Sequence, residues 1–130
     1  MDKRDRIVLN KILNETNIIS KLIAGYEYET FVNDEKTKRA VCMTLINIGE
    51  MVKLLSDGIR RSNPNIQWRS IAGLRDITAH GYQTLRMEDI WVTVSEDVSV
   101  LREQINELME NSKNKTPSLS NSNKTRKPNG

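Results

Sequence analysis

The chain has 130 residues, a length that fits one domain and excludes a large multidomain enzyme. Its net charge of +3 arises in residues 111–130, which hold five basic and no acidic residues, whereas residues 1–110 hold 15 basic and 17 acidic ones. One cysteine, Cys42, and one histidine, His80, exclude an internal disulfide and a metal site with several imidazoles or thiolates. The few aromatic residues argue against a base-stacking platform. The single cysteine makes a reducing cytoplasm the simplest compartment, and no apolar run is long enough to cross a membrane, so we expect a cytoplasmic protein without membrane contacts.

Helical periodicity dominates residues 1–110. A stripe of apolar residues followed by Gly25 predicts a first helix over residues 3–24. Residues 25–34 are predicted to form a connector that ends at Asp34, the expected N-cap of the next helix. The second helix is predicted over residues 35–61 by apolar residues at alternating spacings of four and three. These are Val41, Leu45, Ile48, Val52, Leu55 and Ile59. Gly49 interrupts this helix, either because another backbone approaches it closely or because the glycine is merely tolerated.

The second half of the chain predicts two more helices. A short third helix begins near Trp68 or Arg69, reaches about residue 79 and is ended by Gly81. A fourth helix follows residue 86 and carries another apolar stripe. Its members are Ile90, Val94, Val98, Leu101, Ile105 and Leu108. Residues 111–130 are predicted to be a disordered basic tail. The fold class is therefore all-α, an up-and-down bundle of about four helices plus a short connecting helix. Wide apolar stripes on the second and fourth helices predict a homodimer.

The side chains best suited to catalysis or ligand binding cluster between Gly73 and Tyr82. Arg75, Asp76, His80 and Tyr82 lie within this stretch, although each alone has an ordinary structural explanation as an ion pair, hydrogen-bonded group or packed ring. On an α-helix, Asp76 and His80 share a face and the carboxylate can fix the imidazole tautomer. Arg75 and His80 point about 140° apart on a straight helix. They would converge if Gly81 unwinds the helix end, or if two chains of a dimer build one site.

The spacing Arg75-x4-His80-x-Tyr82 matches the R-x(4–6)-H-x-Y signature of the HEPN superfamily, and the chain resembles the HepT-like ribonuclease toxins. Four further segments carry the likeness, which covers about residues 5–110. They are Ile48-Gly-Glu-Met51 on the second helix, Asn65-Ile-Gln-Trp68, Ile71-Ala-Gly-Leu-Arg75, and Asp89-Ile-Trp91 at the start of the last helix. The resemblance implies a helical bundle that dimerises, with the motifs of both chains facing a shared cleft.

The resemblance also implies a metal-independent endoribonuclease without a cofactor. Arg75 and His80 match the catalytic positions, and Asp76 occupies a polar position that supports them. Tyr82 matches the tyrosine that a minimal nucleotidyltransferase antitoxin modifies with AMP in some toxin–antitoxin systems. RNA supplies the 2′-hydroxyl nucleophile, so cleavage needs a base, an acid and positive charge beside the phosphorane. His80 suits the proton transfers and Arg75 suits bidentate phosphate binding.

Other positions have two interpretations. Glu50 would orient Arg75 or contact a second chain; otherwise it is an ordinary carboxylate on a helix surface. Arg60, Arg61 and Arg69 flank the turn before the motif and would extend a track for RNA phosphates; otherwise they are solvated charges. Trp68 is predicted to anchor packing, and Cys42 to be buried.

Three hypotheses about function follow from these residues. The first is an RNase toxin of a type VII-like toxin–antitoxin system, which is inhibited by AMP on Tyr82. The second is a non-catalytic HEPN module that binds a nucleotide or docks a partner and keeps the motif for that purpose. The third is a helical dimerisation domain in which the polar cluster is only structural.

Overall fold

The computed structural model describes residues 1–77 and 82–115, with side chains as far as Lys113. Seven α-helices are present in these residues: α1 Lys3–Leu22, α2 Tyr28–Val32, α3 Glu35–Val52, α4 Asp57–Ser62, α5 Trp68–Ala72, α6 Met87–Val92 and α7 Val98–Lys115. Two 3₁₀ helices, Gly73–Ile77 and Tyr82–Thr84, lie between α5 and α6, and a π-helical segment, Thr93–Asp97, joins α6 to α7. The described residues contain no strand, so the predicted all-α class is confirmed.

The core forms where α1 packs against both α3 and α7. The predicted stripes of the second and fourth helices lie in this core except for Ile59, which is partly buried, and Val41, Leu45, Ile48 and Ile105 are completely buried. Leu9, Ile12 and Ile19 of α1 complete it. Burial of side chains of this kind stabilises the folded state by about 1.5–3 kcal/mol each. The sequence periodicity therefore identified the core correctly.

Both ends of the first connector follow from local sequence. Gly25 has φ of 79°, a left-handed conformation that glycine adopts without strain, and it turns the chain after α1. Asp34 caps α3 as predicted, because its carboxylate accepts a hydrogen bond from the Thr37 amide at 3.1 Å. The prediction of a connector without a helix was wrong. The short helix α2 forms there because Phe31 is fully buried and packs against Trp91, with ring centroids 5.1 Å apart.

The predicted second helix over residues 35–61 is divided in two, and this boundary was wrong. Helix α3 ends at Val52, and α4 begins at Asp57. The cause is a contact with α1: the buried Asp5 carboxylate accepts hydrogen bonds from the Ser56 amide at 2.9 Å and the Ser56 hydroxyl at 2.6 Å. Because the Ser56 amide binds Asp5, it does not continue the α-helical ladder. The Ser56 hydroxyl in turn caps α4 by accepting from the Ile59 amide.

The predicted third helix is α-helical only at its start. Helix α5 ends at Ala72 and the chain tightens into the 3₁₀ helix Gly73–Ile77. The predicted end of this helix at residue 79 and its stop at Gly81 lie outside the described residues. The fourth helix begins at Met87 and continues to Lys115, so residues 111–115 of the predicted tail are helical. The rest of that tail lies outside the described residues.

Candidate active site

A close contact between two backbones fixes the position of Arg75. A Cβ atom added to Gly49 of α3 would lie 2.7 Å from the Arg75 amide nitrogen and 3.1 Å from the carbonyl oxygens of Ile71 and Ala72. Separations this short leave room only for a hydrogen atom, so α3 and the 3₁₀ helix Gly73–Ile77 pack together because residue 49 is glycine. The interpretation of Gly49 as a point of close backbone approach is confirmed.

The 3₁₀ helix directs two charged side chains of the motif to the surface. The side chains of Arg75 and Asp76 are 44% and 53% exposed, and the Arg75 Nε lies 3.8 Å from a carboxylate oxygen of Asp76. Because both groups are well exposed, this ion pair contributes little to stability. The pair places the Asp76 carboxylate beside a guanidinium that is partly exposed to solvent.

The structure describes only some of the spatial relations among the motif residues. Arg75 and Tyr82, seven residues apart, belong to separate 3₁₀ helices, so the 100° per residue of an α-helix does not relate them. His80 lies outside the described residues. Its predicted contacts with Arg75 and Asp76 therefore remain predictions.

Glu50 lies on the exposed side of α3, next to the Gly49 contact. Among the described residues it forms no ion pair. Its position beside the backbone of Arg75 is compatible with an orienting role, with a contact to a second chain and with an ordinary surface carboxylate. The supporting role of Glu50 therefore stays a prediction.

Tyr82 is held against the N-terminal half of α3. The guanidinium carbon of Arg39 lies 4.5 Å from the centre of the Tyr82 ring, a cation–π geometry, and the Arg39 Nε also bonds the Glu35 carboxylate at 2.8 Å. The Tyr82 hydroxyl is buried and has no hydrogen-bond partner of normal length among the described residues. Burial, together with the nearby Glu35 carboxylate, raises the pKa of Tyr82 to about 12. At neutral pH the phenol is therefore fully protonated.

Sequence reasoning missed Glu35 and Arg39 as neighbours of Tyr82. Their spacing of four residues on a helix was visible in the sequence and indicates an ion pair on the helix surface. Nothing in that spacing indicates which ring packs against it, because Tyr82 is 43 residues beyond Arg39 along the chain. Cys42, one turn further along α3, is buried as predicted, and burial raises the pKa of its thiol to about 11.

The three arginines predicted to flank the motif converge on one open pocket of about 580 Å³. Arg60, Arg61 and Arg69 line it together with Asp57, Trp68 and Ala72. Trp68 is buried and donates its indole N–H to the Asn63 carbonyl at 3.0 Å, which confirms its prediction as a packing anchor. The structure thus brings the three arginines together. That RNA phosphates bind to them stays a prediction.

No three His, Cys, Asp or Glu side chains within 1–77 and 82–113 lie close enough together to hold a metal ion. No helix in this part of the chain has both the length and the apolar character needed to span a membrane.

The fold and the site together define a class: a small helical domain that presents an arginine on a 3₁₀ helix packed against a glycine of a bundle helix. Residues 12–108 match the family model described as Ribonuclease HepT-like. The chain belongs to the HepT-like ribonuclease family, and its fold is of the HEPN type.

Individual relatives support this assignment over almost their whole length. The chain is 32% identical to a protein named “Putative RNase” from Caldanaerobacter subterraneus subsp. tengcongensis, over 85% of this chain and 99% of the relative. It is 31% identical to “Probable ribonuclease HepT” from Thermococcus cleftensis, over 83% of this chain and 98% of the relative. It is 30% identical to a “Putative RNase” from Methanocaldococcus jannaschii, over 81% of this chain and 97% of the relative. No solved structure matches the chain.

Proposed function

We propose that this protein is a metal-independent endoribonuclease and the toxin of a cytoplasmic toxin–antitoxin pair. The observation that carries the proposal is the placement of Arg75, a signature residue of the family. Its backbone is fixed against Gly49 and its guanidinium is accessible to solvent. An arginine in this position binds a phosphate in a defined orientation without help from a metal ion.

The proposed reaction is attack of the RNA 2′-oxygen on the adjacent phosphorus, with release of the 5′-oxygen. A new bond from the 2′-oxygen to phosphorus forms as the bond to the 5′-oxygen breaks, and the products are a 2′,3′-cyclic phosphate and a 5′-hydroxyl end. His80 takes the proton of the 2′-hydroxyl or gives a proton to the leaving oxygen. Arg75 binds the non-bridging oxygens as negative charge develops on them. Asp76 and Glu50 orient these two groups.

We further propose that a homodimer forms the complete site. The reaction needs a proton-transfer group and a phosphate-binding cation at one phosphate, and in a dimer His80 of one chain and Arg75 of the other would supply them across a shared cleft. The large apolar side chains of Met43 on α3 and Leu54 just after it are more than half exposed, which supports a second chain at this surface. Met43 and Glu50 lie within about 20° of each other around the helix, so such an interface would adjoin the Gly49 contact with Arg75.

Control by a partner is the last part of the proposal. A minimal nucleotidyltransferase antitoxin would transfer AMP to the Tyr82 hydroxyl, which would place a phosphate and a purine in the cleft and compete with RNA for Arg75. Because the hydroxyl is buried and Arg39 covers the ring, the second 3₁₀ helix must move away from α3 before the oxygen can react. The partner would therefore bind and stabilise the displaced arrangement.

Cleavage in EDTA tests the proposal. Purified protein should cut single-stranded RNA in excess EDTA and leave 2′,3′-cyclic phosphate ends, and Arg75→Ala and His80→Ala should each abolish the reaction. A mixture of the two inactive variants tests the composite site. If one chain supplies Arg75 and the other His80, exchange of subunits restores about a quarter of wild-type activity, because half of the dimers have one intact site.

Two outcomes would contradict the proposal. The non-catalytic binding module is favoured if wild type and His80→Ala are equally inactive on several RNAs, and if Arg75→Ala and His80→Ala bind nucleotide as well as wild type does. If light scattering shows the protein to be monomeric and it is fully active, the proposal of a composite dimer site is wrong, whereas the proposal of a ribonuclease stands.

A further inference from the structure

The pocket lined by Arg60, Arg61 and Arg69, here called the arginine pocket, holds an unusual concentration of positive charge. Three guanidiniums surround it with one carboxylate, that of Asp57. Residues 1–110 as a whole carry more acidic than basic side chains, so the pocket is not part of a generally basic surface. Its local charge favours an anionic ligand.

The guanidiniums of the arginine pocket retain hydrogen-bonding capacity. Arg60 is anchored by one terminal nitrogen, 2.6 Å from the Asp57 carboxylate, and its Nε has no partner among the described residues. Arg61 and Arg69 are exposed, and neither forms an ion pair within the described part of the chain. Each exposed guanidinium offers the planar fork of donors that matches two phosphate oxygens.

Helical geometry connects the arginine pocket to Arg75. Ala72 lines the pocket, and Arg75 follows it by three residues in the 3₁₀ helix Gly73–Ile77. Arg75 therefore lies about one helical turn beyond the Ala72 wall along the chain. Arg69 precedes Arg75 by one α-helical and one 3₁₀ turn. These turns place the two residues about 10 Å apart along the axis and about 60° apart around it.

This separation is within the span of a few nucleotides of one strand. Successive phosphates rise about 3.4 Å along the helix axis and lie farther apart through space, so a distance of about 10 Å corresponds to at most three nucleotides. A strand whose scissile phosphate binds Arg75 would therefore bring a neighbouring phosphate to the arginine pocket.

We infer that the arginine pocket is a phosphate-binding subsite for the RNA strand, one to three nucleotides from the scissile phosphate. The inference rests on the proposed function for its substrate, and it adds the direction in which RNA leaves the active site. The subsite contributes to RNA affinity and not to the chemical step, so its loss raises KM and leaves kcat unchanged.

The test compares two double variants of equal charge. Arg61→Gln with Arg69→Gln removes the two exposed arginines of the arginine pocket. Arg4→Gln with Lys11→Gln removes two exposed basic side chains of α1. Binding of a fully 2′-O-methylated RNA, which has no 2′-hydroxyl nucleophile, is measured by fluorescence anisotropy over a range of salt concentrations. Each phosphate contact contributes about 0.7 to the slope of log affinity against log salt.

Because the pocket binds one phosphate, we expect the pocket variant to lower that slope by about 0.7 and the α1 variant to leave it unchanged. Single methylphosphonate substitutions, which neutralise one phosphate at a time, then locate the contact. In wild type, one position within three nucleotides of the cleavage site should lose about tenfold in affinity. In the pocket variant the same substitution should have no effect, because the contact is already absent. Arg69→Lys should keep the salt slope and recover only part of the affinity.

Equal salt slopes in the two double variants would overturn the subsite. So would methylphosphonate effects that persist in the pocket variant. Circular dichroism checks that both variants are folded, and both replace exposed side chains. Cleavage of unmodified RNA by wild type is recorded separately. If wild type binds RNA with the expected slopes and does not cut it, the subsite stands and the ribonuclease proposal fails. If wild type cuts RNA and the two double variants have equal slopes, the ribonuclease proposal stands and the subsite fails.

Discussion

Replacement of Gly49 by alanine tests how Arg75 is positioned. The added Cβ would lie 2.7 Å from the Arg75 amide nitrogen, and the next nearest atoms, at 3.1 Å, are the carbonyl oxygens of Ile71 and Ala72. All three belong to the backbone, so no side chain can rotate away. The 3₁₀ helix Gly73–Ile77 must move away from α3, and Arg75 moves with it.

The expected magnitude combines two opposing effects. Alanine gains about 0.5–1 kcal/mol over glycine within a helix, whereas overpacking of a close contact costs about 1–3 kcal/mol. We expect Gly49→Ala to lower the free energy of unfolding by about 1–2 kcal/mol, which shifts the urea midpoint downwards by about 1 M. The rate of RNA cleavage should fall further than the small loss of folded protein explains, because a displacement of about 1 Å at a catalytic group costs about 100-fold in rate.

Gly58 provides the matched control. It is an exposed glycine of α4, and an added Cβ would meet only the Ser56 Oγ, at an ordinary 3.8 Å. Gly58→Ala should therefore raise the free energy of unfolding by up to about 1 kcal/mol and leave cleavage unchanged. The reasoning is refuted if Gly49→Ala is as stable as Gly58→Ala and cleaves RNA at the wild-type rate.

Three further predictions follow from buried or shifted polar groups. Asp5→Ala leaves the Ser56 amide without its acceptor and should lower the free energy of unfolding by about 1–3 kcal/mol in urea. The Tyr26 hydroxyl, which donates to Asp34 at 2.5 Å, and the cap contacts lower the pKa of that carboxyl from 3.8 to about 2. Asp34→Ala should therefore destabilise at neutral pH, and the difference from wild type should diminish as pH falls from about 4 to 2. Tyr82 has its pKa raised from 10.0 to about 12, so ultraviolet titration should show a phenol that ionises near pH 12 and is absent in Tyr82→Phe. The stability that the neutral phenol contributes is complete below pH 10 and is lost as pH rises towards 12.

Controls for these predictions use exposed or differently placed residues of the same type. Glu107→Ala removes an exposed carboxylate of α7 and should leave urea unfolding unchanged. If Glu107→Ala loses as much free energy of unfolding as Asp5→Ala or Asp34→Ala, the removal of one negative charge alone explains the effect. Tyr28→Phe should retain the late ionisation near pH 12. If Tyr28→Phe abolishes it instead, the raised pKa has been assigned to the wrong ring.

The sequence determined the features that depend on neighbours along the chain. The apolar stripes identified the buried faces of α3 and α7, because residues three and four apart share a helix face. Asp34 was identified as a cap because its side chain bonds an amide three residues later. The motif residues Arg75 and Tyr82 were identified by residue type and spacing, although their spatial relation was not.

Tertiary structure decided the features that depend on distant contacts. Asp5 divides the predicted second helix by bonding Ser56, 51 residues away. Gly49 allows α3 and the 3₁₀ helix of Arg75 to meet at backbone distance, a contact that no local pattern reveals. Arg39 covers the ring of Tyr82. A helical period relates residues within one turn of each other. It carries no information about which surfaces meet, and the close packing of those surfaces places Arg75 and Tyr82 against α3.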